Sequence, residues 1–168
     1  MKRMNQINDS TTMTVTVEVS VSDELAAEMP GAEDDVPEPE QIQDWADGAY
    51  LNDVPAIASV YIATAEEIQQ LNKQYRDKDK PTNVLSFPMS SPEEIDVCLL
   101  GDIALCASVI KQEAKQQSKA ELSHWAHMVV HGMLHLQGYD HEIDDDAEKM
   151  EKLEVDILNQ LGFPNPYK

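Results

Sequence analysis

The stretch that most constrains this chain is His131-Gly-Met-Leu-His135-Leu-Gln-Gly-Tyr-Asp-His141. His131 and His135 are four residues apart, so on an α-helix they project from one face, one turn above the other. Two imidazoles placed that way can share one metal ion. Gly138 follows three residues after His135, where a helix often ends on a left-handed residue that glycine adopts cheaply. The chain can then turn back through Tyr139-Asp140 and bring His141 round as a third ligand. Three nitrogens and an open fourth position is the arrangement of a catalytic zinc, whereas structural zinc is usually closed by four protein ligands, often cysteines.

The same helix offers His124 and His127, and His127 lies four residues before His131. A site built on His127 and His131 is geometrically possible but lacks a nearby third ligand. Buried hydrogen-bonding roles behind the metal suit His124 and His127 better.

His-Gly-x-Leu-His-Leu-x-Gly-Tyr-Asp-His resembles the signature of the YbeY family of metal-dependent endoribonucleases, bacterial proteins acting in ribosomal RNA maturation. The run from Tyr75 to Pro88, with Arg76-Asp77-Lys78-Asp79-Lys80-Pro81-Thr82-Asn83 at its centre, resembles the family's second block. Leu100-Gly101-Asp102-Ile103 resembles its third, and the whole likeness runs from about Ile42 to Tyr167. It implies a zincin-like mixed sheet with the metal helix beside it, and it places Arg76 at the active site. It further implies action on ribosomal RNA, particularly maturation of the small-subunit 3′ end, and ribosome quality control. The family often has aspartate where this chain has Asn83, so position 83 is given no charged role.

Charge cuts against a nucleic-acid enzyme. The formal net charge is −20, which taken alone argues against phosphate partners. Its distribution softens the objection, because residues 71–120 carry seven basic and seven acidic side chains. Lys73, Arg76, Lys78 and Lys80 form one cluster there, and Lys111, Lys115 and Lys119 another. They read either as a basic strip in an acidic body or as a solvated face of mixed charge. The two cysteines, Cys98 and Cys106, suit packing better than a disulfide or a metal site.

At 168 residues the chain reads as a single domain spanning 1–168. No stretch approaches the eighteen or so apolar residues of a membrane-spanning helix, no secretory signal is apparent, and a cytoplasmic monomer is expected. Thr12 to Val21 alternates Val with polar residues, the period of a half-buried strand. The acidic segment 23–40, with Pro30-Gly31, Pro37 and Pro39, reads as a mobile loop without a folded element. A helix is expected over 38–51, a strand over 56–63, and a helix to about Tyr75 opened by the capping box Thr64…Glu67. A turn over 77–81, a short strand over 84–87, a polar loop over 90–96 and a strand over 99–106 follow. Helices then cover 107–117, 120–136 and a final stretch from Asp144 to Leu161. This order is α+β, about four strands in a small mixed sheet with about five helices. The metal site falls on a C-terminal helix and the turn after it.

A zinc ion held by three neutral imidazoles keeps its charge and polarises a phosphoryl or carbonyl oxygen, so hydrolysis is the default chemistry. In His-Glu-x-x-His metalloproteases the glutamate after the first histidine is the general base; here that position is Gly132. Arg76 suits a phosphoester, since its guanidinium grips phosphate oxygens bidentately; the alternative is an ordinary helix-end arginine. Asp102 reads either as a group acting on a ligand histidine or the water, or as a turn residue. Asp140 reads as turn-forming or set behind the metal, and Ser86 as adjacent to the site. The leading expectation is a zinc-dependent, single-strand-specific endoribonuclease with ribosomal RNA and the ribosome or its proteins as partners and no membrane. A zincin-type zinc peptidase and a non-catalytic, metal-braced ribosome assembly factor are the alternatives.

Overall fold

The computed structural model describes residues 14–31, 35–90, 96–140 and 144–168. His141, the start of the expected first strand and most of the 90–96 loop lie outside the described residues. Four strands, β1 (Val15–Val21), β2 (Ala56–Ala63), β3 (Val84–Pro88) and β4 (Cys98–Cys106), form one mixed sheet in the order β1-β2-β4-β3. β1 and β4 run parallel to β2, and β3 runs antiparallel to β4 at the other edge. Six helices are described: α1 (Leu25–Glu28), α2 (Pro39–Ala49), α3 (Ala65–Arg76), α4 (Ala107–Gln116), α5 (Glu121–Leu136) and α6 (Asp144–Gln160). The α+β architecture expected from the pattern of elements is the one observed.

The larger core lies between one sheet face and helices α2, α5 and α6. In β2, Ala56, Ala58, Val60 and Ile62 turn inward at period two, against Ile42, Trp45 and Ala46 of α2 and the apolar residues of α5. The opposite face carries a smaller cluster under α3, formed by Ile68, Leu85, Ala104 and Cys106. Gly101 has φ +134° and sits where β4 slips register against β2, between Ile57 and Ala58. A Cβ there would lie 2.2 Å from the Phe87 carbonyl oxygen, so only glycine fits the bulge.

The segment 23–40 differs from expectation. It contains the helical turn α1, anchored by Leu25, which is wholly buried in the main core. Glu28 at the end of that turn accepts the Ala65 backbone N–H at 2.9 Å, joining the Thr64–Glu67 capping box at the start of α3. One leucine with a matching pocket outweighs the polar composition around it.

Two glutamines lock α2 to its neighbours. Gln43 donates to the Val15 carbonyl at 2.8 Å and accepts from the Val17 N–H at 2.9 Å, along the edge strand β1. Gln137, just past α5, donates to Ala49 O at 2.8 Å and accepts from Leu51 N at 2.8 Å.

Candidate active site

The last two turns of α5 carry His131 and His135. The helix then stops on a Schellman motif: Tyr139 N–H reaches Leu134 O at 3.1 Å, Gly138 N–H reaches His135 O at 3.0 Å, and Gly138 has φ +97°. The chain is thus turned back directly after the second histidine. The His131 and His135 Nε2 atoms stand 3.1 Å apart. Two nitrogens each about 2.0–2.1 Å from a tetrahedral ion are separated by about 3.3 Å, so the pair fits two adjacent positions around one zinc. Among the described residues no group of three His, Cys, Asp or Glu side chains gathers for a metal; His141, the expected third ligand, lies outside them.

A cleft of about 730 Å³ opens over the pair. His131, His135 and Asp140 line it together with Ser86 and with Arg76, Lys78 and Lys80. Arg76 ends α3; its Nη2 donates to Ser86 O at 2.6 Å and its Cζ lies 5.1 Å from the centre of the Phe87 ring. After Asp77, in the left-handed region at φ +60°, the Lys78–Lys80 loop is tied back by the buried Asn72, whose amide donates to Lys80 O at 2.9 Å. Ser86 Oγ donates to Gly132 O at 3.3 Å, setting β3 against α5 between the two histidines.

Other groups singled out from the sequence go elsewhere. Asp102 is exposed and lines a second cleft on the far side of the sheet, not the histidine cleft. The expected basic strip divides: Lys111 pairs with Asp35 at 2.9 Å and Lys119 donates to Pro166 O, neither lining the histidine cleft. The amide of Asn83 donates to Glu113 at 3.0 Å, and Glu113 also meets His124 Nε2 at 2.8 Å. An aspartate at 83 would set two carboxylates together. Gly132 faces the sheet, where a Cβ would lie 3.0 Å from Ile103 Cγ2. A glutamate could not be carried there without displacing β4.

The family model for "Endoribonuclease YbeY" matches residues 39–162 of the chain. The chain belongs to the YbeY endoribonuclease family. The matched span takes in His131 and His135, Arg76 and all of α2 to α6. Among solved structures, the solution structure of TM1509 from Thermotoga maritima is 23% identical, covering 88% of this chain and 92% of that one with a TM-score of 0.49.

In this YbeY family member the residue that sequence reasoning missed is Glu154. It is 1% exposed, on α6 behind the histidines. One carboxylate oxygen meets His131 Nδ1 at 3.2 Å; the other meets His127 Nε2 at 2.5 Å and accepts from the Tyr167 hydroxyl at 2.7 Å. Burial alone would raise its pKa, but the hydrogen bonds from His127 and His131 outweigh that and bring it down to about 2. Burial first, then the hydrogen bond to Glu154 and its charge, push the Tyr167 phenol up. A carboxylate accepting at Nδ1 keeps the His131 proton there and leaves Nε2 with its lone pair towards the cleft. His127 thus sits behind the site as expected, and His124, 3% exposed, beside Glu113.

Proposed function

We propose that this chain is a zinc-dependent, single-strand-specific endoribonuclease acting in ribosomal RNA processing, including maturation of the small-subunit 3′ end, and in ribosome quality control. The observation that carries the reading is the convergence of the His131 and His135 Nε2 atoms at 3.1 Å on the floor of a cleft whose rim holds Arg76, Lys78 and Lys80. His131, His135 and His141 are the proposed ligands, and the bound ion supplies a fixed positive charge that polarises a phosphoryl oxygen. Arg76 grips the non-bridging oxygens of the scissile phosphate, and Lys78 and Lys80 draw the flanking backbone into the cleft. Glu154 fixes the tautomer and tilt of His131. Asp140, which lines the cleft and precedes His141 in the sequence, is proposed as a turn-forming residue or one set behind the metal. Ribosomal RNA and the ribosome are the proposed partners, met in the cytoplasm. No helix among the described residues is long and apolar enough to cross a membrane.

The peptidase alternative meets a steric objection, since the position that would hold its glutamate packs against Ile103. The local basicity of the cleft favours RNA over the purely structural alternative, despite the acidic body.

The test is cleavage of labelled ribosomal RNA precursor by wild type, His135→Ala and Arg76→Ala purified side by side. Cleavage by wild type alone, with Arg76→Ala still binding zinc, is the expected result. Equal cleavage by all three would signal a contaminating nuclease and move the assembly-factor reading to the front.

A further inference from the structure

The second cleft, about 380 Å³, lies across the sheet edge from the histidines. Tyr75, Phe87, Tyr61 and Asp102 line it. Tyr75 is 54% exposed, a large aromatic ring left in water at the end of α3. It meets the Phe87 ring edge-on with centroids 5.2 Å apart, and the Arg76 guanidinium rests on the same Phe87 ring. Residues adjacent in sequence thus line the two clefts, Tyr75 and Phe87 the second, Arg76, Ser86 and Pro88 the histidine cleft, and the Arg76–Phe87 contact joins them over the sheet edge.

From this arrangement we infer that the Tyr75–Phe87 shoulder is a stacking subsite for one unpaired base, next to the phosphate held at Arg76. This rests on the endoribonuclease reading above. Three observations select a nucleobase over an apolar peptide side chain. Arg76 lines the histidine cleft and rests its guanidinium on the Phe87 ring, so a ligand that stacks beside Phe87 and also reaches Arg76 carries negative charge at one end and a flat apolar face at the other. Aromatic rings that bind single strands work by this pairing of stacking with backbone charge. The cleft is open at the edge strand β3, so a base enters only if it is splayed out of a helix. Across the ladder from Phe87 stands Asp102, exposed in the same cleft. An ionised carboxylate only accepts hydrogen bonds. It favours a base edge rich in N–H donors, guanine above all, and disfavours uracil, whose single ring N–H lies between two carbonyls.

The test measures binding, so it does not depend on turnover. Fluorescence anisotropy would follow the full-length, zinc-loaded protein with single-stranded 2′-O-methyl phosphorothioate pentanucleotides, intact or with one abasic position moved along the strand. Loss of one stacking partner weakens binding roughly tenfold, so Tyr75→Ala should lose that factor and Tyr75→Phe should keep wild-type affinity. At one position the abasic change should weaken wild type by a similar factor yet leave Tyr75→Ala unaffected further. Asp102→Asn should reduce the preference for guanine over uracil at that position alone. Tyr75→Ala binding as wild type does, or losses that simply multiply at every position, would overturn the subsite while leaving the nuclease reading intact. Failure of wild type to bind any of the strands would instead remove the RNA reading, and this subsite with it.

Discussion

Replacing Glu154 by glutamine keeps the shape of the side chain and removes its charge, and the structure dictates how the new amide must sit. Oε1 receives two donors, from His127 and Tyr167, whereas Oε2 receives one, from His131. The amide oxygen therefore stays at the two-donor position and the NH2 group turns towards His131 Nδ1. His131 must then present a lone pair at Nδ1 and carry its proton on Nε2, the atom that stands 3.1 Å from His135 Nε2. That tautomer has no lone pair at Nε2 to give a metal. Loss of a carboxylate behind a ligand histidine typically costs about 10–100-fold in metal affinity, and the zinc dissociation constant should rise within that range. Three bonds also lose their charge assistance, worth roughly 2–3 kcal/mol together. At this size that lowers the melting temperature of the metal-free chain by on the order of 4–12 °C. Zinc competition against a chromophoric chelator reads the first effect and thermal unfolding in excess chelator the second. An unchanged zinc dissociation constant in a variant that is clearly destabilised would refute the tautomer argument and reduce Glu154 to a packing role.

Two further outcomes follow from the same geometry. Gly132→Ala forces a methyl to within 3.0 Å of Ile103 and should cost about 1–3 kcal/mol of stability by overpacking, read by calorimetry; no loss would mean that α5 and β4 can separate freely. Burial, opposed by the Glu113 bond and reinforced by His127 and Lys119, holds the His124 imidazolium below its usual 6.5. The unfolded chain then takes up the proton more readily, so stability should fall as the pH drops below about 6.5, and His124→Asn should flatten that slope in pH-dependent melting curves.

Much of this architecture was legible because each signal was local. The alternation of Val15, Val17 and Val19, the Thr64…Glu67 box and the His131–His135 spacing are each short-range signals; β1 ends at Val21 as the pattern sets it, and the two helices lie within a residue or two of theirs. What escaped was decided at longer range. The bulge at Gly101 resets the alternation of β4, so sequence could not tell which face of the sheet Asp102 takes. Glu154 was hidden by counting only apolar residues on α6, although it falls in the buried stripe with Met150, Ile157 and Leu158. A lone carboxylate inside such a stripe is the signal that was available. The two lysine clusters are close in sequence number and remote in use, because α4 carries Lys111 and Lys115 away from the loop that holds Lys78 and Lys80.

The Gln43 side chain, reaching from α2 to β1, has a consequence for how copies of this chain meet. A strand at the rim of a sheet offers a ladder of open peptide groups to any extended chain, and self-association through such rims is a common route to aggregates. By donating to Val15 O and accepting from Val17 N–H, the carboxamide of Gln43 imitates one peptide unit of a fifth strand. It occupies the rung from which a second copy would begin to zip. One side chain from a helix thus guards the rim on behalf of solubility, at a place far from the chemistry.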